Sequence, residues 1–343
     1  MPVTDNWRKL GIFRSAIRRS DTTMPSPVAT EDVQTVPPAE SMTLPRSAPH
    51  VLRTDQTSAE AVAALAGQPR FPEAVSATAA AFVELYQGNR LLNTLLNDRG
   101  RMVISYLALV LHYSYRPDDP LSGLTVSRVK EFCIEQKLCS GGRAEAILMV
   151  MRLFGYLEQA PSSTDRRVRR LIPTERLIGQ LRERWQRLFT AMAMVMPEGA
   201  QGLAALERPE FTPAFVRQLA DYFRGGVRLV DHSPGLERFV DRNAGMIVLM
   251  SLLLSGEAGD TFPPARPVPV SISALSKRFG VSRVHVRKLL RDVAALGWTV
   301  PTNADDGRVI LQRPLHQAMT NFVAMAFLLL GSAVREANDE IAR

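Results

Sequence analysis

One sequence pattern occurs twice in this chain, and this repetition is the strongest indication of its fold. Ser140-Gly-Gly-Arg143 leads to Leu153-Phe-Gly-Tyr156, and Ser282-Arg-Val-His285 leads to Ala295-Leu-Gly-Trp298. Both pairs match at an offset of 142 residues, counted from 140 to 282. A fixed internal period indicates that one supersecondary unit is built more than once. We therefore expect a tandem duplication rather than two unrelated domains.

Collinear matches outside the pattern favour the same interpretation. Asp98-Arg99 precedes the apolar run 102–111, and Asp241-Arg242 precedes the apolar run 246–254. Phe189-Thr-Ala-Met-Ala193 matches Phe322-Val-Ala-Met-Ala326 near the end of each copy. We predict a first repeat at 75–205 and a second at 206–343, joined by a linker at about 199–208. Residues 1–70 are rich in Pro, Ser and Thr, which predicts a disordered tail.

The second copy carries the most specific signal. Leu275 and Phe279 lie one helical turn apart, Gly280 can end their helix in a left-handed conformation, and Ser282 can cap the next helix. Apolar residues recur at helical spacing through 286–293. Four basic side chains remain on the other faces, as in a helix that reads base edges: Arg283, His285, Arg287 and Lys288.

A predicted hairpin follows, with Trp298-Thr-Val300 and Arg308-Val-Ile-Leu311 on either side of an Asp-Gly turn. In this order the segment resembles the winged helix-turn-helix of bacterial transcription regulators, and its Gly-Val-Ser-Arg element resembles the GntR type. Arg308 is the basic residue nearest the hairpin tip. A helix–turn–helix used only for packing is the alternative.

The first copy has a poorer reading helix and a richer hairpin. Ser140 caps that helix, glycines follow it, and Arg143 is left as its main candidate base reader. The hairpin resembles the wing of the MarR family through Asp165-Arg-Arg167 and Ile172-Pro-Thr-Glu175. That resemblance implies that Arg167 enters the minor groove, whose negative potential attracts arginine. The wing candidates are Arg166, Arg167, Arg169 and Arg170; a solvated charged loop is the alternative.

The resemblance covers the architecture of about residues 75–340. It implies a mainly α fold with two winged helix-turn-helix modules in tandem, each flanked by packing helices, forming a single-chain pseudo-dimer whose terminal helices pack together.

Asp305 and Asp306 at the second hairpin tip would repel phosphate. Because the two modules differ, we expect a non-palindromic operator.

Composition limits the other functions. A net charge of +8 and a pI near 9.9 favour an anionic partner. Cys133 and Cys139 fit a reducing compartment, and the five histidines are scattered, so we expect no catalytic residues, no metal and no cofactor. The apolar runs are shorter than the roughly 20 residues of a spanning helix, which predicts a cytoplasmic protein without stable membrane insertion.

These observations predict a bacterial transcriptional regulator that binds double-stranded DNA and is not an enzyme. A plasmid-type replication initiator and a winged-helix protein–protein adaptor remain open as alternatives. A small-molecule effector held between apolar helices and self-association also remain open.

Overall fold

The computed structural model describes residues 56–87, 98–119, 122–161, 169–257, 260–302 and 307–343, and this part of the chain is mainly helical. The first half contains α1 (Ala59–Ala66), α2 (Phe71–Tyr86), α3 (Arg99–Tyr113), α4 (Val126–Glu135), α5 (Gly141–Leu153), β1 (Leu157–Gln159), β2 (Leu171–Pro173) and α6 (Glu175–Met192). The second half contains α7 (Pro197–Ala205), α8 (Phe211–Arg224), α9 (Glu237–Val240), α10 (Gly245–Leu253), β3 (Val268–Pro269), α11 (Ile272–Phe279), α12 (Arg283–Ala295), β4 (Thr299–Pro301), β5 (Arg308–Leu311) and α13 (Arg313–Ile341). Within the described residues the two halves share one element order, to which the second half adds α9 and β3.

The duplication begins earlier in the chain than the sequence predicted. The turn between α1 and α2 and the turn between α7 and α8 have the same hydrogen bonds at an offset of 140 residues, counted from 71 to 211. Phe71 N–H donates to the Gln68 carbonyl at 3.0 Å, and Phe211 N–H donates to the Arg208 carbonyl at 3.1 Å. Both phenylalanines are fully buried.

Two predicted boundaries are therefore wrong. Residues 199–208, expected to be a linker, contain most of α7 and the turn into α8. The predicted tail extended to residue 70, but its last part forms α1, which Ser58 caps by accepting the Ala61 N–H at 3.2 Å. The part of that tail at 1–55 lies outside the described residues.

The two repeats pack on each other through equivalent pairs of helices, as expected for a pseudo-two-fold arrangement. Helix α2 packs on α10 of the other repeat, and α8 packs on α3. Likewise, α13 packs on α1 and α6 packs on α7. The terminal helices were expected to pack on each other, whereas α6 packs chiefly on α7 of the other repeat, and α13 packs chiefly on α8 of its own repeat and next on α1 of the other. All described residues belong to one compact unit.

An aromatic cluster joins the halves at the centre of the core. Phe215 of α8 contacts Trp185 and Phe189 of α6 with ring centroids 5.3 Å and 5.6 Å apart. Trp185 Nε1 donates to Tyr106 Oη at 3.0 Å, which satisfies its one polar group inside the core. Full burial of each ring contributes about 1.5–3 kcal/mol, so this cluster resists separation of the repeats.

Helix α13 extends well beyond the matched segment Phe322–Ala326 that lies within it. At 29 residues it is long and apolar enough to cross a membrane by length and composition alone. However, 61% of its most apolar 18-residue window is buried inside the protein. Its Phe327 meets Phe71 of α2 edge-on at 6.1 Å, as in a core helix.

Candidate nucleic-acid interface

Helices α11 and α12 form the more basic of two helix–turn–helix segments. Gly280 adopts φ = +67°, which ends α11 and turns the chain. Ser282 then caps α12 by accepting the His285 N–H at 3.1 Å. Val286 and Leu289 are fully buried and hold the helix on the body of the protein. The turn and cap are those that the sequence predicted.

The outer face of α12 is basic at its N-terminal half. The side chains exposed there are Arg283, Val284, Arg287 and Lys288, with Arg291 one turn further along. The partial positive charge of the helix N-terminus adds to these cations. Arg283 also donates to Ser273 Oγ at 3.2 Å, which brings the first turn of α11 to the same surface. The sequence alone does not indicate Ser273, because it stands ten positions before Arg283 and no local spacing signal connects the two residues.

His285 has a different environment from the arginines beside it. Its ring Nε2 donates to the Asn243 carbonyl at 2.8 Å, just before α10. The neighbouring Arg242 forms an ion pair with Asp292 on the same helix, α12. Hydrogen bonding by Arg242 holds the pKa of the Asp292 carboxyl below its ordinary value. The structure thus places His285 with the residues that hold α12, although the sequence grouped it with the base readers.

The first helix–turn–helix segment, α4 and α5, presents fewer cations. Ser140 caps α5 by accepting the Arg143 N–H at 3.3 Å. The Arg143 guanidinium lies 3.6 Å from Asp98 Oδ2, although the side chain remains 53% exposed. Glu145, one turn along, is paired with Lys130 at 3.0 Å. One partly paired arginine therefore remains at the start of this helix.

The predicted wing residues of the two hairpins have different environments. In the first, Arg169 is exposed, whereas Arg170 stacks over the Tyr115 ring at 3.9 Å. A Cβ at position 123 would lie 2.7 Å from Arg170 Cδ, so Gly123 leaves room for this packing. Arg166 and Arg167 lie outside the described residues, so their predicted contacts stay predictions.

In the second hairpin, Arg308 donates to Glu257 Oε1 at 2.7 Å and to the Pro267 carbonyl at 2.6 Å. Its charge is thereby balanced next to β3. The tip at 303–306, with the two predicted phosphate-repelling aspartates, lies outside the described residues.

Strand β3 was not predicted. It pairs with β5 in the register Val268 with Val309, which makes a three-stranded sheet in the order β3-β5-β4. In the first repeat one backbone hydrogen bond stands at the corresponding place, from Leu171 N–H to the Leu124 carbonyl at 2.8 Å. The prolines at 267 and 269 argued against a strand here, because proline has no N–H to donate. An edge strand such as β3 nevertheless tolerates Pro269.

Each helix–turn–helix segment also touches the other repeat. Phe132 of α4 stacks on Phe223 at the end of α8, with ring centroids 6.1 Å apart. Arg278 of α11 donates to Gln87 Oε1, just after α2, at 2.8 Å. Both segments therefore rest on the end of a helix from the opposite repeat, which couples their positions to the packing between repeats.

Among the described residues no group of three or more His, Cys, Asp or Glu side chains is placed to hold a metal ion. Comparison with known proteins gave no match to a protein-family model, a curated protein or a solved structure.

Proposed function

We propose that this chain binds double-stranded DNA sequence-specifically through two winged helix-turn-helix modules and acts as a cytoplasmic bacterial transcriptional regulator. The modules are α4–α5 with β1–β2 and α11–α12 with β4–β5. One observation carries the proposal: the N-terminal half of α12 is exposed, capped and basic, with Arg283, Arg287 and Lys288 accessible. Helices of this kind enter the major groove with their first residues on base edges.

The chemistry assigns separate tasks to these side chains. The forked donors of arginine match the O6 and N7 acceptors of guanine, so Arg283 and Arg287 are our candidates for sequence reading. Lys288 provides a compact charge for a phosphate. In the first module, Arg143 and Arg169 are the described counterparts. Since these sets differ in number and pairing, the two half-sites of the target should differ in sequence.

The test is in-vitro selection from random duplexes, followed by fluorescence anisotropy on the enriched duplex. We expect Arg287→Ala to weaken binding to that duplex by about ten-fold and to relax preference at one or two positions, as for loss of a bidentate base contact. The matched control is Arg70→Ala, which removes the same charge from a 63% exposed surface pair. Equal loss in both variants would mean that α12 does not read sequence.

A second candidate function is supported by exposed apolar side chains, three of which belong to the first module. The α4–α5 segment exposes apolar side chains that a DNA-reading surface does not need: Ile134 is 60% exposed, Met149 62% and Leu153 71%. Such side chains favour a protein partner, as in a winged-helix adaptor. Salt dependence separates the two functions, because DNA binding through several phosphate contacts falls steeply with salt. Absence of DNA binding at low salt would favour the adaptor.

A further inference from the structure

A cavity of about 280 Å³ lies where the two repeats meet. The first repeat contributes Phe82, Met102 and Tyr106 to its wall, and the second contributes Leu219, Met246 and Phe322. These side chains come from α2 and α3 on one side and from α8, α10 and α13 on the other. Ligand pockets are typically concave, mostly apolar and equipped with a few placed polar groups. The polar groups here decide what this one would bind.

The charged residues of the wall are three arginines and one aspartate: Arg99, Arg184, Arg228 and Asp98. Asp98 is already compensated, with Arg101 Nε at 3.3 Å and the Arg143 guanidinium at 3.6 Å. Arg99 is paired with Asp241 at 2.8 Å. Arg184 and Arg228 therefore supply the positive charge that the wall itself does not balance.

Neither of these two guanidiniums forms an ion pair with a carboxylate of the described residues. Arg184 stacks over the Phe82 ring at 4.1 Å and donates to Tyr86 Oη at 3.1 Å, and its Nε is buried with no hydrogen-bond acceptor in the described part of the chain. Arg228 donates to the carbonyls of Phe223 and Val227 at 2.7 Å and 2.9 Å. A buried donor without an acceptor costs free energy that an incoming anion would recover.

We propose that this cavity binds an apolar monocarboxylate, with its carboxylate on Arg184 and its chain or ring among the apolar side chains, while Arg228 adds positive charge to the same wall. Carboxylate is the anion whose two oxygens fit the guanidinium fork. One carboxylate would neutralise part of the positive charge of Arg184 and Arg228. A ligand with a single charged group needs few polar contacts, which agrees with the mostly apolar wall. The volume is near the lower end for ligand pockets and favours a small molecule.

Isothermal titration calorimetry on the full chain without DNA tests this directly. The probes are octanoate and octan-1-ol, which share a chain but differ in charge. We expect octanoate to bind one per chain and at least ten-fold more tightly than octan-1-ol. No octanoate binding, or equal binding of the two probes, would overturn the proposal.

Two variants locate the binding. Ala326 lines the cavity, so Ala326→Phe should fill it and abolish octanoate binding. The control Ala342→Phe adds the same ring at an exposed position. Arg184→Gln should weaken octanoate at least five-fold and leave octan-1-ol unchanged, and this comparison remains informative if Ala326→Phe fails to fold. Octanoate binding unaffected by Arg184→Gln would place the ligand elsewhere and overturn the proposal. Because DNA is absent, the result is independent of the proposed DNA-binding function.

Discussion

Neighbouring residues on α12 have opposite tasks. Arg287 and Lys288 are exposed, whereas His285 donates to the Asn243 carbonyl at 2.8 Å. Loss of this hydrogen bond in His285→Ala should lower the free energy of unfolding by about 1 kcal/mol. We expect thermal unfolding to show a midpoint lower by a few degrees.

Arg283→Ala is the control, since an exposed substitution on the same helix should change stability by less than about 0.5 kcal/mol. If His285→Ala left the midpoint unchanged but altered the selected DNA sequence, His285 would be a base reader as the sequence suggested.

Asp292 gives α12 a pH-dependent attachment. Its pKa is lowered chiefly by the hydrogen bond from Arg242, so the folded state favours the ionised carboxylate. The resulting stability is present above the unfolded pKa of about 3.9 and is lost as the pH falls through the lower folded pKa. Asp292→Asn should therefore destabilise the protein at pH 7, and its difference from wild type should shrink progressively as the pH falls below the unfolded pKa of about 3.9. Melting curves across this range measure it, and a constant difference at all pH values would refute the assignment.

At the scale of elements, two glycines at the two helix–turn–helix segments predict opposite effects of alanine. Gly280 has φ = +67°, where a Cβ is strained, so Gly280→Ala should destabilise by about 1 kcal/mol. Gly142 lies in the first turn of α5, and a Cβ there would meet nothing within 4 Å. Gly142→Ala should stabilise by about 0.4–1 kcal/mol, because alanine favours a helix. Urea unfolding measures both, and effects of equal sign would contradict this account of the turns.

The sequence predicted elements best where the signal is local. The caps at Ser140 and Ser282 and the end of α11 at Gly280 stand where predicted, because capping and left-handed turns depend on adjacent residues. The bases of both hairpins also follow α5 and α12 as expected.

Contacts between distant segments explain what was missed. The segment predicted to be a linker contains Gly199 and Gly202, which are packing glycines of α7. A Cβ at Gly199 would lie 2.2 Å from Ala193 N, and one at Gly202 would lie 2.8 Å from the Phe189 ring. Likewise, the hydrogen bond from His285 to the Asn243 carbonyl crosses 42 residues and has no local signature. The packing of helices from one repeat on helices of the other could not be predicted for the same reason.

For the molecule as a whole, the repeated Asp-Arg dipeptide provides the ion pairs that hold α5 and α12. Arg99 pairs across the repeats with Asp241 at 2.8 Å. The remaining partners break the symmetry: Asp98 approaches Arg143 of α5, whereas Arg242 pairs with Asp292 of α12. Helices α5 and α12 are thus attached to this Asp-Arg centre by different ion pairs.

A ligand in the cavity should therefore influence DNA binding, if both proposals hold. A carboxylate bound at Arg184 would add negative charge to the wall that also contains Asp98 and Arg99, and would thereby perturb their ion pairs with Arg143 and Asp241. We expect saturating octanoate to weaken binding to the selected duplex by about five-fold or more, a typical coupling between sites. Anisotropy titrations with and without octanoate measure this. Ala326→Phe, which should not bind the ligand, must show no response; an equal response would place the effect outside the cavity.

The most direct measurement is the sequence symmetry of the duplex that the full chain selects from a random library. We predict one enriched, non-palindromic motif bound by a single chain, because the α5 and α12 surfaces carry different exposed cations. No enrichment, or a perfect inverted repeat bound by two chains, would contradict a single-chain reader with two unlike modules.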